Sequence, residues 1–272
     1  MMIPFEKYHG CGNNFILFDY EDVKQYQFPA LAKSVCDIHA GIGADGMIIV
    51  KQHPLEMIFY NQDGSRAPMC GNGIRCFAKY VWDKKMVDRD CFPVETMAGT
   101  MMIQIKDEGK FKAKVNMGKP SFDIEKLHLS KYVFDIKEYE LEGFTVGSLF
   151  MGTIHTVVFV DSLDSINCEE EGKKICFHPL FKEKTNVNFV EIMGEHNIRV
   201  MTYERGVGLT KACGSGCCAS VVLANDFGKV SSPVNVHLEL GALRISIVND
   251  EVIMEGPAQK TAVGMYDYQE VK

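Results

Sequence analysis

The sequence predicts a mixed α/β fold built from two similar halves, and three observations carry that reading. One plan occurs twice: residues 56–85, EMIFYNQDGSRAPMCGNGIRCFAKYVWDKK, and the stretch opening at Asn197, NIRVMTYERGVGLTKACGSGCCASVVLANDFG, each run from an apolar strand through a polar loop into Cys-Gly-x-Gly and then an apolar run without helix breakers. The registers agree, with Tyr60 ten positions ahead of Cys70 and Tyr203 ten positions ahead of Cys213. Short strand-like runs bounded by Gly, Pro and Asp turns fill most of the remaining chain. The rest of the chain then reads as scaffold for two opposed cysteines, with one site between two domains.

In chain order, IPFEKYHGCGNNFILFD (3–19) predicts a strand, a tight turn at Gly10-Cys11-Gly12 and the strand Phe15–Phe18, with Asn13 at its mouth. Pro29–His39 reads as a helix with Leu31, Ala32, Val35 and Ile38 as its inner face, giving way to the glycine-rich loop 41–46 and the strand Met47–Val50. The Gly-x-Gly of that loop follows a helix and precedes a strand, the reverse of the dinucleotide-binding order, so no nucleotide site is assigned. After the strand Met57–Tyr60, the spacing of Ile74, Phe77, Ala78 and Val81 predicts an amphipathic helix that opens at Cys70 and ends near Asp83-Lys84-Lys85. Phe92–Thr96, Met101–Ile105 and Lys112–Asn116 are strands, joined by turns at Ala98-Gly99 and 107–109.

Met117-Gly118-Lys119-Pro120 and the charged, weakly patterned stretch to Glu142 mark a crossover. Beyond it, Leu149–Asp161 repeats the form of Gly12–Asp19, a glycine and a polar pair before a strand ending in Asp. A helix near Glu169–Phe177 follows, then strands at Val187–Ile192, Ile198–Tyr203, Val234–Leu238, Leu243–Val248 and Val252–Glu255. The run 217–224 has no polar face wider than Ser220, so its helix is expected to be buried on all sides and to stop at Gly228. The tail Ala258–Tyr268 has strand character and is assigned back to the first half. The expected domains are 1–117 with 258–272, carrying Cys70, and 118–257, carrying Cys213.

Composition narrows the function. A chain of 272 residues, 46% hydrophobic and 24% charged, suits a soluble globular protein of two ordinary domains. A formal charge of −7 without a Lys/Arg cluster argues against nucleic acid. No apolar run approaches the roughly 18 residues of a membrane span, and MMIPFEKYHG has neither the charged nor the apolar region of an export signal. A cytoplasmic location and a small-molecule substrate are therefore expected, with neither nucleic acid nor membrane as partner; a homodimer stays open. Ten dispersed cysteines point to free thiols in a reducing compartment.

Among these thiols Cys70 and Cys213 stand apart. Each precedes Gly-x-Gly where a helix begins, so unpaired N–H groups and a partial positive charge are offered to a carboxylate, and the same field favours thiolate over thiol. Cys36, Cys76, Cys168, Cys176, Cys217 and Cys218 read as small buried hydrophobes. Zinc is the sharper competitor for the reactive pair, but Cys-x2-Cys pairs are missing and Cys70/Cys76 and Cys213/Cys217/Cys218 have the wrong spacing. Inverting a stereocentre by proton transfer needs a base on one face of the carbon and an acid on the other, a need that a thiolate and a thiol from two half-domains would meet. Taken singly, His155 reads as a satisfied strand histidine and Glu204-Arg205 as a surface ion pair.

Over nearly its whole length the chain resembles the diaminopimelate epimerases. HGCGNNF, FYNQDGSRAPMCGNGIRC, VNMGKP, TNVNFV, YERGVGLTKACGSGCCA and GPA carry the likeness. The resemblance implies a cofactor-independent amino-acid epimerase of two pseudo-symmetric α/β domains, each a mainly antiparallel sheet wrapped round a central helix, with the active site in the interdomain cleft. It implies Cys70 and Cys213 as the acid/base pair, assisted by Glu204 and His155. Gly71, Asn72, Gly214 and Ser215 would hold the reacting carboxylate, Asn13 would lie near the reacting carbon, and Asn61, Asn186 and Arg205 would bind the far end of the substrate. The chain departs from the family pattern at Gly152-Thr153-Ile154-His155, where Gly-Asn-Pro-His is usual, and at Asn14, where Asp is usual. Thr153 can still hydrogen-bond but reaches less far than Asn. A racemase of another amino acid, such as histidine, on the same two cysteines is therefore the alternative, and a non-catalytic amino-acid binder or thiol redox protein is the one from a different class.

Overall fold

The computed structural model describes residues 2–269. The chain divides into two compact units, one comprising the residues up to Val115 together with those from Gly256 onward, the other Asn116–Glu255.

The first unit contains β1 (Met2–Gly10), β2 (Asn13–Asp19), α1 (Tyr20–Val23), α2 (Phe28–Cys36), β3 (Gly46–Lys51), β4 (Glu56–Asn61), β5 (Arg66–Ala67), α3 (Gly71–Asp83), β6 (Cys91–Thr96), β7 (Gly99–Asp107) and β8 (Phe111–Asn116). The second contains β9 (Tyr139–Leu141), β10 (Phe144–Phe150), β11 (Ile154–Val160), α4 (Cys168–Cys176), β12 (Asn186–Gly194), β13 (Asn197–Glu204), β14 (Gly208–Thr210), α5 (Gly214–Asp226), β15 (Val234–Leu238), β16 (Gly241–Val248) and β17 (Glu251–Pro257). The final strand, β18 (Gln259–Asp267), pairs antiparallel with β1, which returns the tail to the first unit.

The pairing scheme of one unit repeats in the other. In the first, β1 and β2 are antiparallel, β2 and β3 parallel, and β3 and β4 antiparallel; β4 then takes β5 antiparallel and β6 parallel. In the second, the same sequence of relations runs through β10 to β15. Each parallel step is a crossover: α2 and then α3 carry the two in the first unit, α4 and then α5 the two in the second, as parallel connections require. Most ladders are antiparallel.

Helices on both faces of the strands explain why the central strands read as continuous apolar runs. In the first unit α2 packs on β3 and β4, while α3 packs against β1 to β4. Phe15, Ile16, Leu17 and Phe18 of β2 are accordingly all buried. In the second unit α4 lies on β12 and β13, and α5 touches β10 to β13, β15 and β16. The α5 helix is buried from Gly216 to Ala224, as its sequence predicts, and a positive φ at Gly228 ends it.

Three expectations change. The second helix stops at Cys36, so Ile38 lies outside it, exposed, and not on its inner face. The α3 helix is not a surface amphipathic helix: every residue from Gly71 to Ala78 is buried, including Arg75. Arg75 looks like a polar-face residue in the sequence, yet its guanidinium donates to Gly71 O (2.8 Å), Asn72 Oδ1 (2.9 Å) and Pro257 O (3.2 Å), which offsets its desolvation. The weakly patterned stretch after Met117 contributes Leu127, Leu129, Val133 and Ile136 to the core of the second unit, through a 3-10 turn at Ile124–Leu127 and irregular chain that no periodicity marks.

Two stability predictions follow from this packing. A Cβ on Gly172 of α4 would lie 2.6 Å from Tyr203 Cβ and 2.9 Å from Tyr203 Cγ. Gly172→Ala should therefore destabilise the protein by roughly 1–3 kcal/mol despite the better helix propensity of alanine. Equal or higher stability in urea denaturation would show that α4 is not seated on β13 in this way. Burial pushes the Cys36 thiol up to about 12 and raises that of Cys76 as well, while an unfolded thiol ionises near 9.0. The folded state thus retains protons that the unfolded state releases, and stability should be fully present below pH 9 and decline above it. A urea midpoint under reducing conditions that stays flat between about pH 8 and pH 11 would contradict this.

Candidate active site

Both cysteines of the Cys-Gly-x-Gly motifs stand at helix N-caps with extended backbone: Cys70 before α3 (φ −133°, ψ 124°) and Cys213 before α5 (φ −122°, ψ 106°). Each carbonyl accepts the first helical bond, from Ile74 at 2.8 Å and from Cys217 at 2.9 Å. The fourth residue of each Cys-Gly-x-Gly motif has a packing reason to be glycine beyond exposing N–H groups. A Cβ at Gly73 would crowd Ile48 and Met57 at 3.2 Å, and one at Gly216 would overlap Asn188 Oδ1 at 2.2 Å.

In the first unit, amides surround the thiol. Asn13 Oδ1 accepts from Asn72 Nδ2 at 3.2 Å and faces Cys70 Sγ at 3.9 Å. Asn72 in turn accepts from Arg75 at 2.9 Å, so its side chain is held from below. Asp45 takes the backbone and side-chain amides of Asn14, both at 2.7 Å, and also bonds the side chain of Asn13. Asp45 was not foreseen as a site residue; it fixes which way the Asn13 amide faces. Cys70, Asn13, Gly71 and Asn72 are thus assembled together. Asn61 stands aside, its amide donating to Ser65 Oγ at 3.0 Å within the β4–β5 turn.

In the second unit, the surroundings differ. Cys213 is buried, and its thiol is pushed well above the ordinary range, first by burial and then by the charge of Glu204, against the opposing bonds from Ser215 and the Gly216 N–H. The expectation that the helix terminus would favour the thiolate is corrected here: partial charges on a few N–H groups do not outweigh lost water and a nearby carboxylate. Glu204 ends β13 and accepts from Thr210 Oγ1 at 2.7 Å. His155 on β11 is fully buried, with Nε2 3.1 Å from Ser215 Oγ, which lies 3.6 Å from Cys213 Sγ. Burial, and secondarily the charge of Arg205, lowers the His155 pKa to about 3, so the imidazole is neutral.

Of the residues assigned to the far end of a substrate, Asn186 and Arg205 lie on and next to the same strands of the second unit. Asn186 pairs in register with His155; its Oδ1 accepts from the Arg205 N–H at 2.9 Å and its Nδ2 donates to Ile154 O at 3.3 Å. Arg205 is exposed, with Nη1 on Glu183 O at 3.0 Å. Thr153 Oγ1 is buried with no hydrogen-bond partner. Asn188, Thr202 and Thr210 were missed by the sequence reading. Strand alternation puts Asn188 on the same face as Asn186, and a second asparagine in the buried, mainly apolar first half of the strand was the available signal.

Among the described residues, no group of three His, Cys, Asp or Glu is placed to hold a metal ion, and no helix is long and apolar enough to cross a membrane. The sequence model described as diaminopimelate epimerase matches residues 5–123 and 147–261. A diaminopimelate epimerase of Alkaliphilus metalliredigens is 41% identical over 98% of this chain and 98% of its own length, and one of Halothermothrix orenii is 38% identical over 99% and 100%. Solved structures share the fold at low identity. A PhzF-family phenazine biosynthesis protein of Bacillus anthracis gives a TM-score of 0.72 at 14% identity, covering 97% of this chain and 99% of its own. A hydroxyproline epimerase from Agrobacterium vitis with bound trans-4-OH-L-proline gives 0.67 at 13%, covering 97% and 90%. Matches of this identity along almost the full length of both partners mean that the chain belongs to the diaminopimelate epimerase family.

Proposed function

We propose that this isomerase interconverts LL- and meso-diaminopimelate by two-base proton transfer at Cα, with Cys70 and Cys213 as the acid/base pair. The observation that supports this best is the placing of two cysteines at N-caps of buried helices in units that share one strand-pairing scheme. In one direction a thiolate takes the α-proton, forming S–H as the C–H bond breaks and leaving the electron pair on a carbanion next to the carboxylate. The opposite thiol then delivers its proton to the other face of the carbon. The reverse reaction exchanges the two roles. The reading calls for no cofactor, because helix N–H groups at Gly71, Asn72, Gly214 and Ser215 would carry the charge that develops on the carboxylate.

The two thiols have unequal surroundings, which suits unequal roles. Burial and Glu204 favour the thiol at Cys213, making it the acid in the ligand-free protein. Ser215, bonded to His155, would then stabilise the thiolate that remains after the proton leaves. At the far end, the exposed guanidinium of Arg205 would pair with the distal carboxylate, Asn186 fixing the backbone of Arg205, with Asn61 and the orphaned Thr153 hydroxyl as further polar contacts. Threonine where the family usually has Asn is the feature that favours a second reading, a racemase of another amino acid on the same cysteines.

Deuterium exchange at Cα in D2O, followed by NMR under reducing conditions with LL-diaminopimelate, histidine and a panel of other L-amino acids, separates the readings. Exchange confined to diaminopimelate is the expected result; exchange with another amino acid alone would move the substrate assignment, and silence throughout would reject the enzyme. Cys70→Ser and Cys213→Ser should each abolish steady-state inversion, and parent-rate turnover in both would refute the two-base mechanism. Arg205→Ala should lower kcat/KM for diaminopimelate by about thirtyfold, about 2 kcal/mol, the worth of a charge-assisted contact; an unchanged value would remove Arg205 from the distal site.

A further inference from the structure

The polar network of the second unit has a direction, and it begins at a residue that has no role in the reading above. The Asn188 amide is held by three neighbours in addition to His155. Its Nδ2 donates to Thr156 O at 3.2 Å, its Oδ1 accepts from Thr202 Oγ1 at 3.1 Å, and its Oδ1 also presses on the first turn of α5, where any Cβ at Gly216 would overlap it. A backbone carbonyl can only accept, so the atom facing Thr156 must be the amide nitrogen. That same nitrogen lies 3.2 Å from His155 Nδ1. One of its hydrogens serves Thr156 O and the other points at the ring, so Nδ1 must present a lone pair.

A buried neutral imidazole has one N–H, and with Nδ1 accepting, the proton sits on Nε2. Nε2 is 3.1 Å from Ser215 Oγ and therefore donates to it. The serine oxygen accepts from the ring, which leaves the serine proton for Cys213 Sγ at 3.6 Å. We infer that Asn188 is a positioning residue: by donating to Nδ1 it holds His155 as the Nε2–H tautomer, so that Asn188, His155 and Ser215 form a chain of donors ending at the Cys213 sulfur. A chain with this polarity stabilises the thiolate of Cys213 over its thiol and opposes the effects of burial and Glu204. The opposite tautomer would present a lone pair to Ser215, turn the serine proton toward the ring and withdraw it from the sulfur. The part played in catalysis rests on Cys213 being an acid/base group; the tautomer itself does not.

The test is Asn188→Asp, which keeps the shape of the side chain and replaces the donor facing the ring with an oxygen that only accepts. Nitrogen-15 NMR of protein labelled at histidine reads the His155 tautomer without substrate. The parent should carry the His155 proton on Nε2 and the variant on Nδ1. In turnover with diaminopimelate the variant should lose kcat on the order of tenfold or more while KM stays within about twofold, because the tautomer acts on the proton-transfer step and not on substrate contacts. A parent protein with the proton on Nδ1 overturns the inference whether or not the variant folds, as does a variant that keeps the parent tautomer or the parent kcat. Parent protein showing Nε2–H but exchanging no amino-acid Cα proton would sink the epimerase reading and leave the tautomer assignment standing.

Discussion

A thiol at the start of a buried helix is under two opposed demands, and the rest of the molecule is arranged around them. The N-cap position supplies N–H groups and a partial positive charge, while burial on all sides of the helix removes the water that would otherwise solvate a thiolate. At Cys213 burial and the carboxylate of Glu204 prevail. Neither demand can be relaxed separately, because α3 and α5 must be buried to be held rigidly by the strands around them, and that rigidity fixes where each sulfur sits. The glycines at 73 and 216 belong to the same compromise, since the helix start can approach its neighbours this closely only where there is no Cβ.

Similar backbone plans place the two cysteines in different side-chain surroundings. Cys70 faces an amide chain anchored by Arg75 at one end and Asp45 at the other, whereas Cys213 faces a serine, a neutral histidine and a carboxylate held by Thr210. In the two-base mechanism proposed above one sulfur must hold a proton while the other lacks it, and unequal surroundings decide on which of the two the proton rests. The strands therefore repeat while the polar residues on them do not.

Much of this was legible in the chain. Local periodicity and turn chemistry located most of the strands and the helices α2 and α4 to within a few residues, because glycine, proline and alternating apolar positions act over short distances, but β5, β9, β10 and β14 were not marked as strands. The repeat of strand, loop and Cys-Gly-x-Gly located both N-caps. Sequence reasoning was weaker where burial depended on a partner distant in the chain. Arg75 reads as the polar side of a helix until the carbonyls of Gly71 and Pro257 are seen around it, and Ile38 reads as core until the helix is seen to end two residues earlier. Leu127, Leu129, Val133 and Ile136 gave no signal because a single 3-10 turn and the irregular chain after it are too short and uneven to show a period.

The sequence by itself determined the two cysteines, the helix starts they cap and the order of the strands, since each of these follows from which residues are neighbours along the chain. Only the tertiary structure decided how those cysteines are tuned. Asp45 reaches Asn13, Asn188 reaches His155, and His155 reaches Ser215 across separations of 32, 33 and 60 positions. Hydrogen-bond direction and the loss of water around a thiol depend on which groups the fold brings within about 3 Å of one another, and no local pattern of residues records that.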